Sequence, residues 1–393
     1  MPESHPGFSQ WLVDVRRYLH AHPETAYEEI KTTEKIVEIL SDARIPVQTF
    51  PGMTGAVGLI SGTGEGPTIA LRADIDALPI AELNEVPYKS RHPGVMHACG
   101  HDANTAIMLG VARKIQDTGF GSSLRGHVKF LFQPAEERGS GAKAMIERGV
   151  LDNPGVDCII AGHMSTDLAV GRVGVFQGLG YASSDVFELA IRGKGAHGAR
   201  PEEGIDPVVA GASFVTSVQS IPARNVKPTE AAAVTVGKFT AGDAPNVIPE
   251  FAYLEGTVRA LSREVRARVI ERLRQIAEGL EPTFLVKTRF QLREGCPLCV
   301  NDETVARLLY ETSMDVLGKA NVAYLPPVMA SEDFAYFALQ RPSAIMRLGC
   351  SNKEQGKAHP LHSPYFDIDE RVLEIGVNIF YEAVRRYLGA GSK

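Results

Sequence analysis

Four short segments of the sequence carry side chains that commonly bind divalent metal ions. They are His97-Ala-Cys-Gly-His-Asp102, Gln133-Pro-Ala-Glu-Glu137, Gly162-His163 and His359-Pro-Leu-His362. Taken singly, each is more often structural than functional. Most of them follow a predicted strand or enter a predicted helix, and the residues just beyond the carboxyl ends of strands line the ligand crevice of an α/β sheet. Thiolate, imidazole and carboxylate groups together suit Zn²⁺ or another borderline divalent ion, so these residues predict a metal-assisted hydrolase of unknown substrate.

Apolar periodicity predicts the elements that must position these side chains. Helices are predicted over residues 8–20, 25–41, 103–116 and 139–149, and buried strands over 56–60, 68–73, 127–132 and 156–161. We expect the strands at 56–60 and 68–73 to form a hairpin across a glycine-rich turn. Because helices separate most of the strands, the pattern indicates an α/β sandwich with a substantially parallel sheet.

The pattern changes near residue 181. Strands at 185–192, 231–239, 251–260 and 284–292 and helices at 205–221 and 262–280 follow one another in the order β-α-β-β-α-β. That order is typical of a ferredoxin-like α+β fold. Helix and strand alternation resumes after about residue 296. We therefore expect a larger α/β domain formed by residues 1–181 and 296–393, interrupted by a smaller domain at 182–295.

Composition excludes several classes of protein. The 393 residues include 41 basic and 47 acidic side chains, a net charge of −6, and the isoelectric point is near 6.0, which disfavours nucleic-acid binding. Mean hydropathy is −0.06, and the sequence shows neither a membrane-spanning apolar run nor a signal peptide. Five scattered cysteines fit a reducing compartment with free thiols, and Cys296-Pro-Leu-Cys299 lacks a second pair of zinc ligands. A cytoplasmic location is expected.

Longer motifs relate the sequence to a known family. The main ones are Met96-His-Ala-Cys-Gly-His-Asp102, Phe132-Gln-Pro-Ala-Glu-Glu137 and Gly193-Lys-Gly-Ala-His-Gly-Ala-Arg-Pro201. Others are Arg16-Arg-Tyr-Leu-His20, His22-Pro-Glu24, Leu71-Arg-Ala-Asp-Ile-Asp-Ala-Leu-Pro79, Asn246-Val-Ile-Pro249, Gly256-Thr-Val-Arg259, Ser331-Glu-Asp-Phe334 and Leu361-His-Ser-Pro364. In this order they resemble the peptidase M20 family over almost the whole chain. The resemblance is to its amidohydrolase branch, which holds hippurate, auxin-conjugate and p-aminobenzoyl-glutamate hydrolases.

The resemblance implies a zinc-peptidase-like catalytic domain, with a mixed sheet between helices, and an inserted ferredoxin-like lid that often dimerises. A homodimer is expected, and a heteromer stays open. Two divalent ions, Zn or Mn, would be held by Cys99 as the bridging thiolate together with His101, Glu137, His163 and His362. Glu136 would be the general base that takes the proton of a metal-activated water. Adjacent glutamates in an extended chain project in different directions, which would separate the two roles.

The resemblance also assigns residues around the substrate. His197 resembles the lid histidine that reaches the substrate carbonyl, commonly across a dimer, and would stabilise the oxyanion. Asn246 and Arg259 resemble the groups that hold the free carboxylate of the substrate. Asp74 and Asp76 are expected either to orient metal ligands or to form a hydrogen-bonded turn before Leu78-Pro79, and the sequence does not decide between these interpretations.

Two segments depart from the family pattern. Asn104 stands where a second histidine usually follows the Cys-Gly-His-Asp run, and Met164-Ser-Thr-Asp-Leu168 lacks the usual aromatic and proline residues. The second departure is shared with p-aminobenzoyl-glutamate hydrolases. The expected substrate is therefore an N-acyl amino acid, with a slight preference for an aromatic acyl group such as aminobenzoyl. Acetylated amino acids and dipeptides are the alternative substrates, and a non-catalytic metal- or ligand-binding protein on the same fold is the alternative function.

Overall fold

The computed structural model describes residues 7–122 and 124–389, and the chain divides into two compact units. The first unit comprises the described residues up to 180, residues 300–326 and those from 333 onward. The second comprises residues 181–299 and 327–332. Residues 1–6, part of the segment for which we expect no signal peptide, lie outside the described residues. No helix among the described residues is both long enough and apolar enough to cross a bilayer.

The helices and strands are numbered here in chain order. The helices are α1 Phe8–Ala21, α2 Ile30–Asp42, α3 His101–Asp117, α4 Gly141–Glu147, α5 Pro207–Val218, α6 Ser220–Asn225, α7 Arg263–Phe284, α8 Glu303–Leu317, α9 Ala335–Ala338 and α10 Arg371–Gly389. The strands are β1 Val47–Phe50, β2 Met53–Ser61, β3 Gly64–Asp74, β4 Arg125–Gln133, β5 Cys158–Ala169, β6 Val173–Phe176, β7 Leu179–Tyr181, β8 Ser183–Arg192, β9 Ala196–His197, β10 Ala232–Ala241, β11 Val247–Ile248, β12 Phe251–Ala260, β13 Lys287–Glu294, β14 Cys299–Val300, β15 Val322–Leu325 and β16 Ser343–Ser351.

An eight-stranded mixed sheet forms the centre of the first unit. Its strand order is β1-β2-β4-β3-β5-β16-β6-β15. The central pairs β4–β3, β3–β5 and β5–β16 are parallel, whereas β1–β2, β2–β4 and β16–β6 are antiparallel. The predicted mixed α/β fold is confirmed. The predicted hairpin of 56–60 with 68–73 is wrong, because β4 lies between β2 and β3 and bonds to both.

Helices α1, α3 and α10 pack against one another in the core of the first unit. Every residue of α3 from His101 to Ala112 is buried, so this helix has no solvated face over its first three turns. Gly110 permits the close approach, since a Cβ there would lie 2.5 Å from Leu12 and 2.6 Å from Val377. The start of α3 is therefore fixed by packing on all sides.

Helix α2 begins at Ile30 rather than at residue 25, because the preceding segment forms turns.

The second unit has the order β8-α5-β10-β12-α7-β13, with the short helix α6 following α5. Its four-stranded sheet has the order β10-β12-β8-β13, and each neighbouring pair is antiparallel. The inward face of the sheet packs Phe187, Leu189 and Ile191 against apolar residues of α5 and α7. This is the predicted ferredoxin-like order. The single helix predicted over 205–221 is divided between α5 and α6.

Candidate metal centre

The carboxyl ends of three neighbouring parallel strands bring the first site residues together. Asp74 ends β3 and pairs in register with Gln133, which ends β4. Arg72 pairs with Ala161 of β5, so the same register places Asp74 level with His163. His163 itself lies within β5, not beyond the strand as predicted, because β5 continues alongside β16. The ligand crevice thus opens where β3 and β4 end and β5 continues.

All five predicted metal ligands meet here, in two groups of three that share Cys99. One group is Cys99, His101 and His163, and the other is Cys99, Glu137 and His362. Within each group the candidate ligand atoms lie within 4.8 Å of one another. Sγ of Cys99 is 3.6 Å from Nε2 of His163, and Nε2 of His362 is 3.4 Å from Oε1 of Glu137. Two three-ligand groups around one thiol are the arrangement expected for two ions bridged by a thiolate.

Gly100 lets the chain pass between two of these ligands. Its φ of 85° lies in the left-handed region, and a Cβ at this position would lie 2.6 Å from the side chain of Met164. A larger residue would therefore meet both backbone strain and a steric clash. This turn allows Cys99 and His101, two positions apart, to reach the same centre.

Hydrogen bonds orient the two buried imidazoles. Nδ1 of His101 is 2.9 Å from the backbone oxygen of Asp76 and 3.2 Å from its Oδ1, whereas Nε2 is buried without a hydrogen-bond partner among the described residues. Nδ1 of His163 is 2.9 Å from the backbone oxygen of Met164. In each ring a backbone carbonyl accepts a hydrogen bond from Nδ1–H, which leaves Nε2 as the nitrogen that faces the centre. A buried imidazole nitrogen without a partner fits a bound cation.

The two adjacent glutamates lie in a turn after β4, not in an extended chain as predicted. The backbone N–H of Gly139 donates to the oxygen of Glu136 at 2.6 Å, and Ala135 adopts a left-handed φ of 52°. The N–H of Glu137 donates to Oδ2 of Asp76 at 3.0 Å. Oε1 of Glu136 accepts from the backbone N–H of Asp333 at 3.4 Å. The turn, with its strained first residue, directs the two carboxylates to different partners.

Asp74 and Asp76 both contact residues of the centre, which favours an orienting role. Oδ2 of Asp74 accepts from Arg72 at 2.8 Å and lies 3.7 Å from Nε2 of His101. Its Oδ1 accepts from the amide of Asn104 at 2.8 Å. Asn104, the departure from the family pattern, therefore lies beside Asp74 and donates a hydrogen bond to it.

The sequence did not single out two buried residues, Arg72 and Asp333, that hold Asp74 and the neighbouring strand ends in place. Arg72 is fully buried, and besides Asp74 it donates to Oε1 of Gln133 at 2.7 Å and to Oδ1 of Asp333 at 3.0 Å. Asp333 also accepts from the side-chain amide of Gln133 at 2.8 Å. The signal available in the sequence was the position of a charged residue, Arg72, within the apolar run of β3. The fork of Arg72 holds the ends of β3 and β4 and the loop at Asp333 in one arrangement.

Burial and neighbouring charges shift the pKa values of three candidate ligands. Burial raises the pKa of the Cys99 thiol well above its ordinary value. Burial alone would lower the pKa of His101, but the charge of Asp74 overrides it and raises that pKa. Burial would raise the pKa of Glu137, yet His362 and His101 lower it, so this carboxylate stays ionised. The centre gathers anionic and potentially anionic ligands that a divalent ion would satisfy.

The other predicted residues, His197, Asn246 and Arg259, lie in the second unit. His197 in β9 pairs with Val247 in β11, and the N–H of the adjacent Gly198 donates to the backbone oxygen of Asn246 at 2.8 Å. The structure thus places the exposed His197 and Asn246 beside each other. Arg259 lies in β12, where Nη1 is buried without a hydrogen-bond partner among the described residues, and burial lowers its pKa.

Comparisons with known proteins agree on one family. The sequence model of Peptidase family M20/M25/M40 matches residues 70–386. The chain is 40% identical over 384 residues to N-acetyl-L-cysteine deacetylase of Bacillus subtilis, covering 97% of this chain and 89% of that protein. It is 36% identical over 385 residues to IAA-amino acid hydrolase ILR1-like 4 of Arabidopsis thaliana, covering 97% and 86%. A crystal structure of a dinuclear metal-binding M20 peptidase from Bacillus subtilis superimposes with a TM-score of 0.83 at 34% identity, covering 98% of this chain and 99% of that one.

Proposed function

The chain belongs to peptidase family M20/M25/M40 and is a metal-dependent hydrolase of linear amides, and we propose that its substrates are N-acyl amino acids. Hydrolysis would release a carboxylic acid and a free amino acid. The observation that supports this most is the pair of ligand groups sharing Cys99, with the carboxylate of Glu136 beside them. The similarity to a deacetylase and to an auxin-conjugate hydrolase supports the substrate class without fixing the acyl group.

Cys99, His101, Glu137, His163 and His362 would hold two divalent ions. A mixed set of thiolate, imidazole and carboxylate ligands suits Zn²⁺ or Mn²⁺, and we propose one of these two. When bound, the ions supply the positive charge that acidifies a water molecule and polarises the scissile carbonyl. Asp76 and the backbone oxygen of Met164 keep the two imidazoles turned toward this position.

Glu136 would serve as the general base. Its carboxylate lies within 4.8 Å of the ligand atoms of His101 and Glu137, and the N–H of Asp333 orients it through Oε1. From this place it accepts the proton of the attacking water and passes it to the leaving nitrogen, which departs as an amine. The carboxylate of the neighbouring Glu137 contacts His362 instead, and its backbone N–H donates to Asp76.

His197 would stabilise the charge that develops on the substrate carbonyl oxygen. Its Nδ1 accepts from the N–H of Ala199 at 3.0 Å, so the neutral ring carries its proton on Nε2, which can donate to an oxyanion. Asn246 and Arg259 would bind the free carboxylate of the amino acid. The buried Nη1 of Arg259, without a hydrogen-bond partner among the described residues, supports that role, because an unsatisfied guanidinium gains most from an anion.

Replacing Arg259 by Gln is expected to raise KM about 10- to 100-fold, because a charge-assisted hydrogen bond contributes about 1.5–3 kcal/mol. Steady-state kinetics with an N-acyl amino acid, and with the same compound capped as its amide, would measure the effect. The variant should discriminate little between acid and amide. Arg289→Gln, an exposed change on β13 of the same sheet, is the matched control and should leave KM unchanged. A variant that keeps the full preference for the acid would contradict the assignment.

Assembly and location complete the proposal. The second unit, for which the sequence predicts the bounds 182–295, would form a homodimer, as the lid domain of this family often does. All five cysteines are free and buried, which supports a reducing compartment such as the cytoplasm. Sedimentation of the purified chain would measure the first of these properties.

The proposal is tested by removing the metal and supplying a panel of substrates. Dialysis against a chelator is expected to abolish hydrolysis, and Mn²⁺ or Zn²⁺ to restore it. The panel comprises hippurate, N-acetyl amino acids, an auxin–amino acid conjugate and p-aminobenzoyl-glutamate, with release of the free amino acid as the measurement. If the protein binds two ions yet hydrolyses none of these amides, the non-catalytic binding function replaces the proposed one.

A further inference from the structure

Arg16 in α1 is a fully buried arginine that reaches carboxylates on two other segments of the first unit. Nε donates to Oδ2 of Asp102 at 2.8 Å, and Nη2 donates to Oδ1 of Asp367 at 3.0 Å. Burial would lower the pKa of Arg16, but the charges of Asp102 and Asp367 raise it. With Oε1 of Glu370 3.5 Å from Nη1, the guanidinium is a permanent positive charge among three carboxylates.

Each of these segments carries a metal ligand. Asp102 directly follows His101 at the start of α3, and Asp367 lies five residues after His362. The two segments are unequally supported. The first twelve residues of α3 are buried, whereas no residue from 352 to 365 is. The loop that presents His362 is thus exposed and depends on its attachments.

Two attachments join this loop to the start of α3. The backbone N–H of His362 donates to the oxygen of Ala98 at 2.8 Å, and Arg16 joins Asp367 to Asp102. His362 also has a left-handed φ of 66°, which a non-glycine residue holds only when its surroundings enforce it. The loop therefore needs more than one anchor to hold His362 in this conformation.

Both carboxylates bound by Arg16 are held by further partners. Nδ1 of His20 is 2.7 Å from Oδ2 of Asp102, so one turn further along α1 a second side chain grips the same oxygen. The hydroxyl of Tyr88 donates to Oδ2 of Asp367 at 2.9 Å. Each end of the link is therefore held by a second side chain besides Arg16.

We propose that Arg16 is a positioning residue that fixes the loop bearing His362 against the start of α3 and so sets the separation of His362 from Cys99. This inference rests on the proposed two-ion site. It assigns a role to the Arg-Arg-Tyr-Leu-His motif of α1, whose described carboxylate contacts are with Asp102, Asp367, Glu370 and Glu82. Loss of Arg16 would loosen the loop while α3 keeps its packed position, so only the ion that uses His362 would be affected.

The test measures metal binding to the metal-free full chain, without reference to catalysis. Calorimetric titration with Mn²⁺ would be made in two backgrounds, His163→Ala, which keeps the Cys99, Glu137 and His362 group, and His362→Ala, which keeps the other group. Adding Arg16→Met is expected to weaken binding about 10- to 100-fold in the first background, the size found for groups that orient metal ligands. In the second background the change should stay below about threefold.

Arg17→Met is the matched control. Arg17 neighbours Arg16 on α1 and binds Glu370 at 2.8 and 2.7 Å, but it is 41% exposed and contacts neither Asp102 nor Asp367 in the hydrogen-bond pattern. It should leave both affinities unchanged, because it donates to neither of the two carboxylates that Arg16 joins and an ion pair with a half-exposed partner contributes little. If Arg16→Met folds poorly, Asp367→Asn keeps the volume of the side chain and should reproduce the selective loss.

Equal weakening in both backgrounds would show that Arg16 is structural only and would overturn the inference. Unchanged affinities in a folded Arg16 variant would overturn it as well. If the unaltered protein binds no Mn²⁺, the proposed metal function fails first. A selective loss in a protein that hydrolyses no amide would uphold the positioning role and reject the proposed reaction.

Discussion

Replacing Glu136 by Gln is expected to lower kcat by roughly 10²- to 10⁴-fold while both ions stay bound. The amide keeps the shape of the side chain and its hydrogen bond from the N–H of Asp333, but it cannot accept the proton of the attacking water. KM should change little, because the carboxylate acts on the water and not on the bound substrate. Single-turnover kinetics together with metal analysis of the same sample would measure both quantities.

Glu137→Gln provides the matched control, since the two glutamates are adjacent and half-buried in one turn. Glu137 belongs to the ligand group with Cys99 and His362, and its N–H is fixed by Asp76. This variant should lose metal first and recover activity when Mn²⁺ or Zn²⁺ is raised. Full activity in a metal-loaded Glu136 variant would reject Glu136 as the base.

Replacing Cys99 by Ser is expected to weaken the binding of both ions by at least about 100-fold, because this one side chain belongs to both ligand groups. A serine hydroxyl remains protonated and is a far poorer ligand than a thiolate for Zn²⁺. The sulfur of Cys99 is also 3.6 Å from Nε2 of His163. Because the C–O bond of serine is shorter than the C–S bond of cysteine, the serine oxygen would lie farther from that nitrogen. Metal content after gel filtration should fall from two ions per chain to less than one.

Two comparisons make the Cys99 result specific. His163→Ala and His362→Ala should each remove one ion, since each residue belongs to only one of the two groups that contain Cys99. Cys158→Ala removes a buried thiol of β5 that lies in the apolar core and should leave both ions bound. If Cys99→Ser retains two ions with unchanged affinity, the bridging assignment is wrong.

The sequence predicted the element types well and the strand pairing poorly. The hairpin of β2 with β3 was inferred from their closeness in the chain, yet β4, which follows α3, inserts between them. Local alternation of apolar residues carries no information about such a crossover. The predicted β5 is too short because its length also depends on pairing with a distant strand. The strand continues past His163, where it pairs with β16.

The candidate ligands were singled out from the sequence because chemically distinctive residues stand in motifs that resemble those of a known family, and their role as ligands stays a prediction. The residues that hold them in place were not singled out. Arg72 and Arg16 are both fully buried, and although the apolar run around Arg72 signals its burial, the local sequence does not show which carboxylates either arginine contacts. Their partners, Asp333 and Asp367, are more than 250 positions away in the sequence, and only the folded chain brings them into contact.

The position of Cys99 in both ligand groups makes the occupancy of one metal position depend on the other. Burial raises the pKa of its thiol, so a cation entering either group must displace the sulfur proton. With Cys99 as a shared ligand, a second cation would meet a sulfur that is already ionised. The two binding equilibria would then be coupled through one proton, which would favour joint occupancy against the mutual repulsion of the ions. Acidification would return that proton and is expected to release both ions together.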